Sequence, residues 1–156
     1  MEKDQRELLL EFNAHNVRFL IVGGYALSHY TQPRATKDLD VLIANTGDNP
    51  ELVFAALATF GAPLAGMTPD DFRRPKTWFQ IGLPPGRVDI VQDIEAIDFE
   101  LAWKNSEAGV IDEDIPVRFL SMDDLITNKL AVGRPRDLID VDELRAAHGQ
   151  TTTKHE

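Results

Sequence analysis

The chain has 156 residues, of which 43% are hydrophobic and 27% charged, and this balance predicts a soluble globular protein of one domain. It contains no cysteine, which excludes disulfides, thiolate metal sites and cysteine nucleophiles and fits a cytoplasmic location. The formal net charge of -10 argues against non-specific binding to nucleic-acid phosphates, and the acidic N-terminus and lack of a long apolar run predict neither a signal peptide nor a membrane span.

The first third of the chain alternates between helical and extended patterns. Apolar residues spaced among charges predict an amphipathic helix over residues 4–15. The β-branched run at 17–24 predicts a buried strand that ends in Gly23 and Gly24, with a helix beginning at the second glycine. The apolar run at 38–44 predicts a second strand, covered on both faces in the middle of a sheet.

Helix punctuation is most complete after that second strand. Asn49 is predicted to be an N-cap, Pro50 the first helical residue and Gly61 the residue just past the end, which gives a helix over 50–60. The prolines and glycines of 61–76 predict a loop that contains at most one short helical turn.

The second half of the chain continues the mixed pattern. Two short apolar runs, 77–83 and 87–94, flank Pro-Pro-Gly and predict an antiparallel hairpin, so the sheet is expected to be mixed. The other predicted elements are a helical segment at 98–106, a strand at 115–120, a helix that begins at Ser121 with Asp124 in a capping box, and a last helix from Pro135 to about His148. The predicted fold class is therefore α+β, a central mixed sheet with flanking helices and a C-terminal helical segment, with residues 1–148 as a single domain and 149–156 as a flexible tail.

Acidic residues occur where two of the predicted strands begin. Residues i and i+2 of a strand point to the same face, so Asp38 and Asp40 are predicted to present two carboxylates side by side. Asp89 would add a third carboxylate if its strand lay beside theirs, and three such groups could hold two divalent ions for phosphoryl chemistry. The alternatives are an aspartate pair that frays into solvent and an Asp89 on a plainly exposed strand face.

The glycine pair stands at the predicted turn from strand to helix. At Gly23 and Gly24 no Cβ would block a phosphate from the backbone N–H groups at the helix start. Neither the dinucleotide-binding fingerprint G-x-G-x-x-G nor the P-loop pattern occurs, so the pair alone indicates little.

Taken together these residues resemble the signature of the nucleotidyltransferase superfamily, which includes DNA polymerase beta and the minimal nucleotidyltransferases. The similarity lies in the glycine pair, the following Asp-Leu-Asp-Val and the later Asp89, and it is greatest to the AbiEii-type proteins, toxins of bacterial toxin–antitoxin pairs. The stretches "RATKDLDVLI" and "LITNKLAVGRPRDLIDVDEL" are also similar to segments of that family, so the resemblance spans roughly residues 17–147.

The resemblance implies a nucleotidyltransferase fold and a role for each matched position. It implies that Asp38, Asp40 and Asp89 bind two Mg²⁺ or Mn²⁺ ions, that Asp89 helps deprotonate the attacking hydroxyl, that Gly23 and Gly24 cradle the triphosphate, that Lys129, Arg34 and Lys37 contact it, and that Asp137 or Asp140 is the later acidic residue. For Lys129 and Asp137 the alternative is an ordinary surface salt bridge between adjoining helices.

The implied activity is transfer of a nucleoside monophosphate from an NTP to a hydroxyl or phosphate of a small molecule, a protein or an RNA end, with release of pyrophosphate. It also implies a toxin of a toxin–antitoxin pair, with a cognate antitoxin as partner. One alternative is a non-catalytic protein of the same fold that acts as a binding or regulatory partner. A phosphohydrolase that uses the same carboxylates is a more distant one, because histidine ligands in suitable positions are missing.

Overall fold

The computed structural model describes residues 1–32, 38–83 and 86–153, with side chains up to residue 149. The helices in these ranges are α1 (Lys3–Ala14), α2 (Gly23–Tyr30), α3 (Asn49–Phe60), α4 (Phe99–Asn105), α5 (Met122–Val132) and α6 (Pro135–Thr153), with a short 3-10 helix at Pro69–Arg73. The strands are β1 (Phe19–Val22), β2 (Leu39–Ile43), β3 (Trp78–Ile81), β4 (Val88–Val91), β5 (Glu107–Ile111) and β6 (Ile115–Phe119). In the ranges described, no helix is both long and apolar enough to cross a membrane.

The strands form one six-stranded sheet in the order β3-β4-β2-β1-β6-β5. Two neighbouring pairs, β2 with β4 and β1 with β6, are parallel, and the other pairs are antiparallel. The predicted mixed sheet is confirmed, and so is the hairpin, because β3 runs antiparallel to β4.

The two central strands are buried on both faces, as their apolar runs predict. In β2, Leu39, Val41 and Ile43 are fully buried, and Leu42, which points to the opposite face, is almost so. Helix α2 packs against β1 and β2, and α1 packs against β6 and α3. Strand β2 is thus held from both sides, which fixes the position of the polar residues at its start.

Asn49 does not cap the following helix as predicted. Helix α3 already begins at Asn49, with Asp48 in the cap position. The buried Asn49 side chain accepts a hydrogen bond from the backbone N–H of Arg18 at 2.8 Å and donates to the carbonyl of Ala44 at 2.7 Å. It therefore ties the start of α3 to the segment before β1 and to the end of β2, a tertiary role that a local pattern cannot reveal.

Other elements also differ from the predictions. Strand β5 was not predicted; it is an edge strand whose Gly109 lies close to the Phe119 ring, since a Cβ there would make a tight contact of 3.1 Å with that ring. Helix α2 begins at Gly23 instead of Gly24. Helix α6 extends past His148 to Thr153, while the predicted division into one domain and a flexible tail stays a prediction.

Candidate active site

Polar residues meet at one edge of the sheet, where β1 ends and β2 and β4 begin. In the antiparallel pair of β1 and β2, Val22 lies opposite Asp40, and in the parallel pair of β2 and β4, Asp40 lies beside Asp89. Residues that face one another across paired strands point to the same side of the sheet. Asp40 and Asp89 are therefore neighbours on one face, and Asp38 stands one residue before β2 at the same edge.

Gly23 is in direct contact with this group of carboxylates. Its φ is +66°, in the left-handed region, and a Cβ at this position would overlap Oδ2 of Asp40 and lie 2.9 Å from its Cγ. A side chain is excluded both by the backbone conformation and by the space. The glycine therefore lets the carboxylate of Asp40 lie against the first turn of α2, where backbone N–H groups have no helical acceptor.

The guanidinium of Arg87 lies between two of the carboxylates. Its Nη2 donates to Oδ2 of Asp38 at 3.2 Å, and its Nε is 3.4 Å from Oδ2 of Asp89, too far for a well-formed hydrogen bond. Three buried atoms of this group, Oδ1 of Asp38, Oδ1 of Asp89 and Nε of Arg87, have no hydrogen-bond partner. The group is thus under-satisfied, which is costly for buried polar atoms.

Burial raises the pKa of Asp40 to about 6, and the negative charge of Asp89, a hydrogen bond with Asp89 and the charge of Asp38 act in the same direction. Arg87 opposes the shift. In the absence of another cation, Asp40 therefore retains a proton to a much higher pH than an ordinary aspartate does.

The donor chemistry of the group suits a hard divalent cation. Mg²⁺ and Mn²⁺ prefer carboxylate oxygens, and two unpartnered oxygens belong to Asp38 and Asp89. As they stand, no three acidic or histidine side chains in residues 1–32, 38–83 and 86–149 are arranged to hold a metal ion. Arg87 contacts two of the three carboxylates, Asp38 and Asp89.

Lys129 lies in a second ionic cluster, between α5 and α6. Its Nζ donates to Oδ2 of Asp140 at 2.8 Å and is 3.7 Å from Oδ1 of Asp137. Asp137 also accepts hydrogen bonds from the backbone N–H and the guanidinium of Arg134, and these bonds hold the pKa of Asp137 below its ordinary value. All three groups predicted here are therefore paired with one another, and the cluster is largely buried instead of lying on the surface.

Of the other residues predicted to contact the phosphates, the structure describes only the glycines of α2. Gly24 lies in the first turn of α2, next to Gly23. Helix α5 starts near the same edge, because the backbone N–H of Leu120 donates to the carbonyl of Ile21 at the end of β1. Arg34 and Lys37 lie outside the described residues.

Two residues of the site were not predicted from the sequence. Arg87 stands two positions before Asp89, and the spacing of two that grouped Asp38 with Asp40 could have singled it out as well. Gln80 pairs with Asp89 across the hairpin, so it extends the polar row on this face to the edge strand. Its place depends on the register of β3 and β4, which the sequence did not fix.

Comparison with known proteins gives a consistent result. Residues 2–148 match the family described as "Nucleotidyltransferase of unknown function (DUF6036)". No curated protein matches the chain. Among solved structures, the lincosamide antibiotic adenylyltransferase LnuA, in a lincomycin-bound crystal structure, is similar with a TM-score of 0.59 at 15% identity over 94% of this chain and 98% of that one. ANT(2'')-Ia, in a complex with adenylyl-2''-tobramycin, is similar with a TM-score of 0.56 at 20% identity over 96% and 88% of the two chains.

Proposed function

We propose, from the premise that the chain belongs to this family of nucleotidyltransferases, that it transfers a nucleoside monophosphate from an NTP to a hydroxyl group of a small molecule and releases pyrophosphate. The observation that carries the proposal is the meeting of Asp38, Asp40 and Asp89 at one sheet edge, against a glycine that admits no side chain. Purely structural aspartates would not need to cluster with buried oxygens that have no hydrogen-bond partner.

The three aspartates are proposed to hold two Mg²⁺ or Mn²⁺ ions. Divalent ions at such a site neutralise the phosphates and orient the attacking and leaving oxygens. Asp89 is proposed to accept the proton of the acceptor hydroxyl, because its Oδ1 has no hydrogen-bond partner and only 13% of its side chain is exposed.

The triphosphate is proposed to bind at the first turn of α2, where Gly23 and Gly24 leave the backbone N–H groups accessible. Arg34 and Lys37 precede Asp38 in the chain and are proposed to contact the phosphates. Lys129 is proposed to assist as a cation, held in position by Asp137 and Asp140. To contact the triphosphate, Lys129 would have to give up at least one of its existing ion pairs.

A small-molecule acceptor is proposed because two similar structures are a lincosamide antibiotic adenylyltransferase bound to lincomycin and ANT(2'')-Ia in a complex with adenylyl-2''-tobramycin. ATP is accordingly the first nucleotide to test. We also propose that the protein acts in the cytoplasm and that it is a toxin with a cognate antitoxin. The toxin and antitoxin proposals come from the resemblance alone. Growth of cells that express the protein, with and without the product of a neighbouring gene, tests them.

The experiment is to incubate the protein with Mg²⁺ and each of the four NTPs labelled in the α-phosphate, together with pools of small molecules, proteins and RNA. Label should move to an acceptor with the wild type and not with Asp40→Asn. The matched control is Asp70→Asn, an exposed aspartate paired with Arg73 away from this edge, which should transfer label as the wild type does. Absence of transfer from every NTP, with no pyrophosphate formed, would favour the non-catalytic alternative.

A further inference from the structure

We infer that Arg87 is a positioning residue for the carboxylates: its guanidinium holds Asp38 and Asp89 in place in the metal-free protein and competes with a divalent cation for them. The inference rests on the proposed function, because it assumes that these carboxylates are metal ligands. It goes beyond that function by giving the site an internal counter-ion.

The backbone of Arg87 is fixed from two sides. Its carbonyl accepts a hydrogen bond from the backbone N–H of Leu39 at 2.8 Å, the first link between β4 and β2. The same carbonyl accepts a bond from Nε2 of Gln5, a fully buried residue of α1, at 3.2 Å. The side chain therefore starts from a defined point beside the carboxylates.

The contacts of the guanidinium are those of a replaceable partner. Its ion pairs with Asp38 and Asp89 measure 3.2 and 3.4 Å, whereas Arg18, an arginine of similar exposure, binds Glu100 through two hydrogen bonds of 3.0 and 2.7 Å. Arg87 also leaves its Nε without a hydrogen bond. Long, incomplete pairing of this kind places positive charge near the carboxylates without saturating their oxygens.

One positive charge does not balance three carboxylates. Within the described part of the chain, Arg87 is the cation in contact with this group, and it reaches two of its three members. A divalent ion would supply more charge to the same oxygens, and it would meet repulsion from the guanidinium unless Arg87 moved aside. Removal of the guanidinium should therefore weaken the metal-free fold and strengthen metal binding.

The experiment measures both quantities without reference to activity. Mn²⁺ affinity is determined by calorimetry, and stability in EDTA by urea unfolding, for the wild type, Arg87→Met and Arg87→Gln. We expect both variants to unfold at lower urea and to bind Mn²⁺ roughly tenfold more tightly, the effect of one unit charge at close range when largely screened by water. Stability should therefore fall while Mn²⁺ affinity rises. Loss of a merely structural arginine would loosen the site and lower both stability and Mn²⁺ affinity.

The control variants isolate the charge. Arg87→Lys keeps a cation and should bind Mn²⁺ within about threefold of the wild type. Arg18→Met removes a comparable ion pair elsewhere and should leave Mn²⁺ affinity unchanged. If Arg87→Met does not fold, Arg87→Gln carries the same expectation.

The outcomes separate this inference from the proposed function. Wild-type binding of Mn²⁺ that is not tightened in either uncharged variant overturns the role of Arg87 and leaves the proposed function standing. If neither the wild type nor the uncharged variants bind Mn²⁺, both proposals are overturned. Tighter binding in the variants combined with no nucleotide transfer by the wild type overturns the function alone.

Discussion

Replacing Asp40 by Asn should stabilise the metal-free protein, by an amount that grows as the pH rises from about 4 to 6 and then levels off. The pKa of Asp40 is about 6 in the folded protein against an ordinary value of 3.8, so the folded state binds the proton more tightly than the unfolded state does. The favourable contribution of this proton is fully present below pH 3.8 and is lost as the pH rises through 6. Above that pH the folded protein carries a buried, repelled charge.

The size of the effect follows from the same difference. A pKa difference of about 2 corresponds to about 3 kcal/mol of unfolding free energy, which is the largest gain that Asn can bring at pH 8. At pH 4 the gain should be close to zero, because protonated aspartate and asparagine are then both neutral. Urea unfolding in EDTA at pH 4, 6 and 8 measures the whole curve.

The control is Asp70→Asn, whose exposed ion pair with Arg73 should contribute less than about 1 kcal/mol at pH 8. Equal stability of the wild type and Asp40→Asn at pH 8, or a gain that is as large at pH 4, would refute the reasoning. A loss of stability at every pH would show that Asp40 is a structural residue.

Three further predictions concern the same edge and the second ionic cluster. Gly23→Ala should lower the free energy of unfolding, measured in urea, by more than about 2 kcal/mol, because its Cβ would overlap Asp40. The control Gly47→Ala, also at positive φ but with open space around it, should lower it by only about 1 kcal/mol. Equal losses in the two variants would contradict the contact between Gly23 and Asp40. Mg²⁺ with NTP at millimolar concentration should raise the melting temperature of the wild type and not of Asp40→Asn, and no rise in the wild type would count against the metal site. Lys129→Met should lower the free energy of unfolding by about 3 kcal/mol, since it leaves the carboxylate of Asp140 without its ammonium partner. If the same variant also binds NTP more weakly but binds the nucleoside as the wild type does, Lys129 contacts the triphosphate.

The sequence predicts the central strands well because burial leaves a local trace. An unbroken apolar run such as β2 has few other interpretations, and Pro135 and Gly61 mark helix ends by their own backbone preferences. Strand β5 leaves no such trace. It is the outermost strand of the sheet, where Glu107 and Ala108 are exposed and Gly109 lies close to the Phe119 ring of β6.

The site residues likewise fall into two groups, those with a local sequence signal and those whose contacts depend on how the strands pair. The spacing of two between Asp38 and Asp40 is a local signal, and so is the position of Asp89 within an apolar strand run. The contact between Gly23 and Asp40 and the bridging position of Arg87 arise only when β1, β2 and β4 pair in register. Sequence reasoning could therefore identify the carboxylates but not what surrounds them.

The ionic cluster between α5 and α6 and the carboxylate group at the start of β2 and β4 differ in how their charges are balanced. Between α5 and α6, Lys129 and Arg134 face Asp137 and Asp140, two cations for two carboxylates, with hydrogen bonds of 2.7 and 2.8 Å. At the sheet edge Arg87 alone, within the residues described, reaches the carboxylates, and two of their buried oxygens have no partner.

A balanced cluster needs no ligand to neutralise its charges, whereas an unbalanced one raises the pKa of a carboxyl and costs free energy unless a ligand supplies the missing charge. This contrast favours a ligand-binding role for Asp38, Asp40 and Asp89, whereas Lys129 can contact a triphosphate only by giving up an existing ion pair. It makes one joint prediction: saturating Mn²⁺ should remove the stability gain of Asp40→Asn at pH 8 and leave the loss in Lys129→Met unchanged. Urea unfolding of both variants with and without the ion tests it, and a gain in Asp40→Asn that persists in saturating Mn²⁺ would show that the charge at the sheet edge is not balanced by metal.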